Sequence, residues 1–591
     1  MKKILLFASI ICCLQLGAAD LYITPDSSLA DAVRKAREMK RLEQAHEVTI
    51  HLSSGIYYLY EPLRLRPEDS GLTISGEHAV VSGGMQITGW RKQGKLLVAD
   101  VPDFNGRPID FRQLWVNGKK AIRAHSVPVS LPDGSDPFEQ MPRIRTYDKK
   151  NHILWVPRKA VEKILKAPYT EMVLHEMWCT SNLRIKSLTV HGDSVAVRFH
   201  NPEGKLQFEH PWPSPMTPNT GHPSPFYLTN AKELLDEPGE WYHDIREHKL
   251  YYMPREDERL KMKDETFTAI VPVLETLVEV TGSAERPVRD IHFKGITFSH
   301  TTWMRPSEKG HVPLQAGMYL VEAYKLRPQI DRPNNHKLDN QGWLGRADAA
   351  VELRYTEDIN FTDCRFEHLG GSGLDYVVAC RRGTTTSCTF TDIAMNGYVS
   401  GSFSPEGLET HLPYLPTDFR EVCSGQQVDN CHFYDVTNED WGCVAICAGY
   451  VNGITIDHNT IHDVSYTGIS LGWGWNRDLV CMKDNKVHAN LIYNYAQHMY
   501  DCAGIYTLGN QPGTVISENV VRDIARPSYV HDPNHWFYLY TDEGSSNITI
   551  RDNWTPEEKY LQNANGPGNV WQNNGPKVSE TIRRQAGISN K

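Results

Sequence analysis

Apolar side chains recur along the second half of the chain in a spaced pattern. Each unit is an apolar residue, a gap of one, an apolar or threonine position, a gap of two, then Cys, Asn or Ile two residues before another apolar side chain. Alternation with a period of two is typical of strands with one buried face, and self-similarity every few tens of residues is typical of solenoids. The clearest copies are Ile291, Phe293, Ile296 and Phe298; Ile359, Phe361, Cys364 and Phe366; and Ile454, Ile456, Asn459 and Ile461.

This pattern predicts an all-β fold, a right-handed parallel β-helix, because the gap of two lets each coil bend into short strands that pair with neighbouring coils. Looser copies at Cys388, Cys431, Asn490 and Asn519 follow the same spacing, with a partial copy ending at Asn553. Cys and Asn therefore share one inward position of the repeat. We expect the cysteines there to be small buried thiols rather than a disulfide framework.

The pattern divides the chain into five parts. Residues 1–19 have Lys2 and Lys3 before an apolar stretch and small residues, which is typical of a cleavable secretory signal. We assign 20–94 to an N-terminal cap and the first coils, 95–267 to an inserted antiparallel β domain, 268–555 to the main β-helix, and 556–591 to a tail or late cap. The signal predicts a periplasmic or secreted protein.

Local motifs support the cap and the insert. Ser28 and Asp31 resemble a capping box, and Leu29, Val33 and Ala36 form an apolar stripe, so a short helix is predicted to cover the first coil. Between residues 95 and 267 the coil pattern stops. The segment 114–118 contains an Asn-Gly turn, which is typical of a β-hairpin.

Composition excludes several classes of partner. The net charge of −10 is spread along the 591 residues without a basic stripe, so we expect no nucleic acid. Nothing after the signal is long and apolar enough to span a membrane. A pair of CxxC motifs and an HExxH stretch are both missing from the sequence, so we expect no metal and no cofactor. A monomer is expected.

Candidate chemistry gathers in two segments, 498–509 and 537–544. Where Ile505 and Leu539 point inward along their strands, Tyr506, Tyr540 and Asp542 point outward. An aromatic face beside carboxylates is what sugar binding and glycosidic cleavage require. The long link 511–536 is predicted to form a wall over one end of this face.

At these residues the chain resembles glycoside hydrolase family 141, whose members combine a parallel β-helix with an inserted β domain. The shared motifs contain Asp501 and Asp542, and the 114–118 hairpin also matches. The resemblance implies α-L-fucosidase action on the pectic polysaccharide rhamnogalacturonan II, or endo-xylanase action, and it implies Asp501 and Asp542 as the catalytic pair. The substrate is then an oligosaccharide or polysaccharide.

The spacing of the two acids sets a condition on this pair. Aligning the coils on Asn519 and Asn553 puts Asp542 level with Leu508, seven residues past Asp501, which is on the order of 23 Å in an extended strand. Glycosidase carboxylates lie about 5 to 9.5 Å apart. We therefore expect the chain to turn near Ala503 and Gly504.

Other residues are candidates for binding, and each has a structural alternative. Instead of acting in catalysis, an Asp at a coil corner can bond backbone amides. Instead of binding sugar, a histidine can pack at the surface, and a long turn that carries Trp can pack on itself. Asp440 and Asp463 stand at similar corners and are the alternative acids. The predicted substrate-binding residues are Glu543, His498, Tyr506, Tyr540, His535, Trp536 and Trp473.

Three functional classes remain open. A hydrolase needs one protonated and one ionised acid. A polysaccharide lyase would use Ca²⁺ and a basic residue, for which Arg477, Lys483 and Arg522 are the candidates. A non-catalytic glycan-binding solenoid would tolerate substitution of both acids.

Overall fold

The computed structural model describes residues 17–42, 46–258, 267–322, 341–405 and 407–589. Most of the predicted signal, residues 1–16, lies outside this part of the chain. The first six strands, β1 to β6, span Ala19–Ile23, Val48–Leu52, Gly55–Tyr58, Leu63–Leu65, Leu72–Ser82 and Gly84–Gln86. No helix in the described ranges is both long enough and apolar enough to cross a membrane.

The next strands, β7 to β20, build the insert. They span Arg91–Gln93, Leu96–Asp100, Trp115–Val116, Lys119–Lys120, Ile122–Arg123, Thr146–Asp148, Ile153–Pro157, Glu171–His175, Thr180–His191, Ser194–Phe199, Phe226–Thr229, Glu240–Asp244, Lys249–Tyr252 and Ala269–Pro272. They form sheets of four, five and six strands, the first completed by β6, and their pairings are antiparallel except that of β11 with β18. The prediction of an inserted antiparallel β domain is confirmed.

The remaining strands belong to the main coils, except for a small antiparallel sheet of β23, β24 and β25. In order, β21 to β48 span Val278–Thr281, Val288–Thr301, Pro313–Gln315, Met318–Glu322, Trp343–Gly345, Ala349–Thr362, Arg365–Leu369, Ser372–Arg381, Thr384–Thr386, Thr389–Ile393, Tyr398–Ser400, Cys423–Ser424, Gln427–Asp429, His432–Val436, Ile446–Ala448, Val451–Asn452, Thr455–Asp457, Thr460–Val464, Ile469–Leu471, Lys486–His488, Leu491–Tyr493, Cys502–Thr507, Asn510–Ser517, Val520–Val521, Trp536–Thr541, Ser546–Arg551, Tyr560–Gln562 and Val570–Gln572.

Parallel pairing of these strands creates a helix with three faces. Face one includes β37, β40, β43 and β46, face two includes β34, β38 and β41, and face three includes β39, β42, β45 and β47. Each coil passes through the faces in turn, so equivalent residues of successive coils lie side by side. The predicted parallel β-helix is confirmed, and its ladder continues through β48.

Five α-helices lie in the described parts of the chain. These helices, α1 to α5, span Leu29–Arg41, Arg158–Val161, Glu203–Glu209, Arg305–Lys309 and Glu580–Gln585. The side chain of Ser28 accepts a hydrogen bond from the backbone N–H of Asp31 at 3.2 Å, and Leu29, Val33 and Ala36 are buried against the first coil. The predicted capping helix is therefore α1. It covers the apolar end of the solenoid, as an open end requires.

The interior of the coils is held by stacks of identical or similar side chains. Phe366, Phe390 and Phe433 stack with ring centroids 4.6 and 4.4 Å apart. The ten cysteines in the described ranges are buried free thiols, and the backbone N–H of Cys388 lies 3.4 Å from the sulfur of Cys431. At the next coil this inward position changes from Cys to Asn. The backbone N–H of Cys431 donates to Oδ1 of Asn459 at 2.9 Å across these two coils.

A ladder of asparagines continues this rung through Asn459, Asn490, Asn519, Asn553 and Asn574, all buried except the partly exposed Asn574. From Asn490 onward each Oδ1 accepts from the amide side chain and backbone N–H of the preceding asparagine, and each of the first four Nδ2 groups also donates to a backbone carbonyl inside the coil. The ladder satisfies polar groups that water cannot reach, so it sets the coil-to-coil register.

Replacing Asn490 by Ala is expected to lower the free energy of unfolding by about 2 to 4 kcal/mol. The change leaves the backbone N–H of Asn459 without its acceptor and removes one of the two acceptors of its Nδ2, and a buried unpaired group costs about 1–3 kcal/mol. Urea unfolding followed by circular dichroism measures the loss. Asn510→Ala is the control, because the amide of Asn510 lies at the coil surface. Equal stability of the two variants would contradict a structural role of the ladder.

Candidate active site

Asp501 and Asp542 flank two paired strands on face three. Asp501 precedes β42 and Asp542 follows β45, and the register joins Cys502 to Trp536 and Thr507 to Thr541. The backbone N–H of Asp501 donates to the carbonyl of His535 at 2.7 Å, and that of Asp542 donates to the carbonyl of Thr507 at 3.0 Å. The backbone of Asp501 is therefore held by the residue before β45, and that of Asp542 by the last residue of β42.

The chain bends at Asp501 itself. Its φ is +55°, in the left-handed region that Asp tolerates better than most residues, and β42 then pairs without interruption. Gly504 lies inside that strand and lacks a positive φ; a Cβ there would come within 2.3 Å of the Val521 side chain. The glycine is needed for close packing rather than for the turn expected near Ala503 and Gly504.

Tyr540 connects the two carboxylates. Its hydroxyl lies 3.3 Å from Oδ1 of Asp501, and it also contacts Asp542, so its pKa is raised far above the usual value by burial and by both acids. Tyr540 therefore brings the two acids into one cluster, and the seven-residue offset is closed by side chains that reach along the strand.

The two carboxyl groups have different surroundings. Nε2 of His535 lies 3.1 Å from Oδ1 of Asp501, and this hydrogen bond raises the pKa of His535. Burial raises the pKa of Asp542, and the charge of Asp501 acts in the same direction. Desolvation disfavours the charged form of a carboxyl group, so these surroundings favour the protonated form of Asp542.

Two donors hold the carboxyl group of Asp542. The hydroxyl of Tyr506 donates to Oδ2 at 2.5 Å, and the amide of Asn563 donates to Oδ1 at 2.7 Å. Both hydrogen bonds lower the pKa of Asp542 and so oppose the effect of burial. Asn563 lies just after β47, one coil beyond Asp542, in a tail to which the sequence assigned no chemistry.

Aromatic side chains pack around the pair. The rings of Tyr506 and Tyr540 meet edge to face with centroids 5.0 Å apart, and both residues are buried. Trp475, Phe537 and Leu561 cover this cluster while remaining partly exposed. Trp475 also packs against the core of the insert, so one side chain joins the two parts of the molecule at the site.

The other predicted binding residues are spread more widely. His535 and Glu543 remain at the surface beside the pair. Trp473 is only 1% exposed, and its indole donates to Thr410 at 2.9 Å, so it offers no face to a sugar. Trp536 is buried with Lys559 Nζ 3.6 Å from its ring centroid. Trp473 is packed in the turn that follows β39, whereas Trp536 is packed as the first residue of β45.

His498 lies on the side of the insert instead of beside the acids. It stacks on Trp441 with centroids 4.2 Å apart, and its Nδ1 lies 2.6 Å from the hydroxyl of Tyr529. Burial lowers the pKa of His498 to about 3, which keeps the ring neutral. Its carbonyl is 2.8 Å from Nε2 of His175 in the insert, so His498 helps to dock that domain.

The insert and the link 522–535 meet beside the pair. Arg143 donates to the carbonyl of Tyr529 at 2.9 Å, and Nδ1 of His531 lies 3.3 Å from the carbonyl of His222. The ring of His531 is 6.0 Å from that of Tyr500, the residue before Asp501. These contacts form a wall next to Asp501, built from both segments.

The alternative acids have other partners. Asp440 lies 2.8 Å from Nε2 of His311 and lines a separate cavity of about 440 Å³ between the insert and the coils. In that cavity Lys120 contacts Asp392 at 2.9 Å and Glu439 at 3.0 Å. Asp463 contacts His462 at 2.7 Å. Asp440 and Asp463 thus each contact a histidine away from the hydroxyl of Tyr540.

Comparison with known proteins agrees with this architecture. A family model described as the GH141 insertion domain matches residues 94–255. A solved structure titled "Glycoside hydrolase" is 57% identical, covers 97% of this chain and 99% of its own, and superimposes with a TM-score of 0.92. No curated protein matches the chain.

Two more distant solved structures are the surface adhesin PfbA of Streptococcus pneumoniae and the GH136 lacto-N-biosidase from Eubacterium ramulus. They are 13% and 12% identical, cover 50% and 51% of this chain and 65% and 60% of their own, and have TM-scores of 0.29 and 0.28. Similarity this low carries no argument about function.

The β-helix, its insert and the close relative define this protein as a glycoside hydrolase. The chain belongs to glycoside hydrolase family 141.

Replacing Tyr506 by Phe is expected to raise the pKa of Asp542, because the lost hydrogen bond stabilised the carboxylate. One limb of the pH–activity profile should move to higher pH. The basic limb moves if Asp542 acts protonated, and the acidic limb moves if it acts ionised. Tyr57→Phe, which removes a distant hydroxyl, should leave the profile unchanged. Unmoved limbs in Tyr506→Phe would exclude Asp542 from the titrating pair.

Proposed function

We propose that this enzyme is an α-L-fucosidase that removes fucose from side chains of rhamnogalacturonan II, with Asp501 and Asp542 as its catalytic acids. The observation that carries the proposal is the pair itself: two carboxyl groups on one tyrosine hydroxyl, one beside a histidine and the other enclosed. The resemblance of their motifs to the fucosidase member of the family supports the substrate.

The surroundings of the acids support distinct roles. Asp542, whose pKa is raised by burial, donates its proton to the glycosidic oxygen as the bond to the sugar breaks. Asp501, which lies beside His535, attacks the anomeric carbon. Two carboxyl groups that contact one tyrosine side chain suit the close spacing of retaining glycosidases, about 5–5.5 Å, better than the wider spacing of inverting enzymes. Asp542, now ionised, then accepts a proton from the water that releases the sugar.

The walls of the site support action on a terminal sugar. The link 522–535 is held against the insert by Arg143, so a polysaccharide chain cannot pass freely over this end of face three. Trp475 and Phe537 present apolar surface beside the acids. Fucose carries a methyl group where xylose has none, and an aromatic surface favours the sugar with the additional apolar group.

The alternatives remain a xylan-cleaving hydrolase of the same family, a Ca²⁺-dependent lyase and a non-catalytic glycan-binding solenoid. The three basic residues proposed for a lyase are dispersed: Arg522 contacts Asp523, Lys483 lies 3.9 Å from Asp484, and Arg477 donates to the carbonyl of Ala564. We further propose that the protein acts in the periplasm or outside the cell as a monomer.

A panel of aryl glycosides and pectic oligosaccharides tests the proposal. We expect release of fucose from the aryl α-L-fucoside and from rhamnogalacturonan II fragments, read by product chromatography. Asp501→Asn and Asp542→Asn should each lower turnover by at least about 10²-fold, the range for loss of an acid or base. Asn tolerates the left-handed backbone of Asp501, so folding should be retained.

Asp484→Asn is the matched control, since it changes an exposed acid that also has a positive φ. Its turnover should equal that of the unmodified enzyme. Release of xylo-oligosaccharides, or an unsaturated product absorbing in the ultraviolet and lost with a chelator, would replace the fucosidase assignment. Near-normal turnover in a folded Asp501→Asn or Asp542→Asn enzyme would remove that residue from the mechanism.

The stereochemical outcome gives an independent test of the geometry. Proton NMR recorded during the first minutes of hydrolysis is expected to show the α-anomer of fucose as the initial product, because a covalent intermediate on Asp501 inverts the anomeric carbon twice. Initial appearance of the β-anomer would mean that Asp501 activates water and that the two acids are farther apart in the substrate complex.

A further inference from the structure

Two histidines and an aspartate meet on face one, remote in the fold from the acid pair on face three. Asp457 ends β37 and His488 ends β40, and the register pairs these two residues directly. His458 follows Asp457 in the turn toward face two, with φ of +51°. One donor atom from each of the three side chains lies within 4.8 Å of the other two.

The donor atoms point at one another. Oδ1 of Asp457 lies 2.7 Å from Nδ1 of His488 and 3.0 Å from Nδ1 of His458. Zinc bonds of about 2.0–2.2 Å in tetrahedral geometry separate neighbouring ligand atoms by roughly 3.3 Å, so small rotations of the side chains would admit the ion. We propose that Asp457, His458 and His488 bind Zn²⁺ as a clamp between two successive coils.

The third coil supplies a supporting contact. Nε2 of His488, the ring nitrogen that faces away from Asp457, lies 3.6 Å from Oε2 of Glu518. A histidine that binds metal through one nitrogen usually directs its other N–H at a carboxylate, which orients the ring and increases its basicity. Glu518 is therefore a positioning residue, and the site spans three coils.

The chemistry of the donors favours a transition metal. Two imidazoles and one carboxylate suit zinc, whereas Ca²⁺ and Mg²⁺ prefer oxygen ligands. All four side chains are partly exposed, so an ion can enter from solvent. Three protein ligands leave a fourth position for water. The expectation of no metal was based on the lack of local sequence motifs. Ligands that come from separate coils do not form such a motif.

The position indicates a structural role. The backbone N–H of Ser589 donates to Oδ1 of Asn430 at 2.8 Å, and that of Ile588 donates to Oγ1 of Thr460 at 3.1 Å, so the C-terminal segment crosses the turns around His458. Zinc bound here would hold together the coils on which that segment rests. Binding of the ion to the native state alone would stabilise the fold by mass action.

Purified protein without a histidine tag, stripped with chelator, tests the proposal by titration with Zn²⁺ in a calorimeter and by metal analysis after dialysis. We expect one zinc per chain and an unfolding temperature that rises with zinc concentration. Asp457→Asn and His488→Ala should each weaken binding at least tenfold. Glu518→Gln, which leaves all ligands in place, should weaken it by about tenfold, as loss of a supporting carboxylate does.

His292→Ala is the matched control, because His292 forms a comparable pair with Asp290 at 2.9 Å on an earlier coil of the same face. Its zinc affinity should equal that of the unmodified protein. His458→Asn provides a second ligand variant that suits the left-handed backbone if His488→Ala fails to fold. Absence of zinc binding, or equal affinity in the ligand variants, would overturn the proposal and leave a set of ion pairs.

Discussion

Coil-to-coil pairing in a single register is the constraint on which the rest of the molecule depends. Parallel strands on three faces align equivalent residues of successive coils, and the buried ladder from Asn459 to Asn574 extends this alignment into the interior. A slip of one residue would turn every inward side chain outward. It would also leave the amides of the ladder unpaired where water cannot reach them, which is costly.

The acid pair is a direct consequence of that register. Tyr506 and Tyr540 are paired neighbours, so the hydroxyl of each reaches the acid that flanks the other strand. Tyr506 reaches Asp542 after β45, and Tyr540 reaches Asp501 before β42. The backbone holds Asp501 and Asp542 far apart along the strands, and the length of the tyrosine side chains closes the gap. Burial beside the same tyrosines raises the pKa of Asp542, so the packing that joins the acids also favours the protonated form of this one.

The insert supplies what a solenoid cannot. A stack of coils contacts only its neighbours and presents long open faces. The inserted domain has its own core and docks through His175 and Arg143 onto the turns of the coils. It thereby encloses a site that the coils alone would leave as an open groove, and a long-range contact of this kind determines the shape available to a glycan.

Sequence alone was sufficient for the parts of the protein that repeat. The spacing of Phe366, Phe390 and Phe433 identified the coils, and the shared position of Cys431 and Asn459 identified the inward rung, because periodic burial leaves a periodic pattern. The motifs around Asp501 and Asp542 identified candidate acids. Tertiary structure decided what those residues contact: that Asp501 carries the bend, that Trp473 is enclosed, and that Asn563 binds Asp542 from the next coil. Such contacts join residues that are distant in the chain and whose side chains must reach a common point. Whether they do depends on the backbone direction and on the side-chain rotamers, and local spacing in the sequence does not encode either.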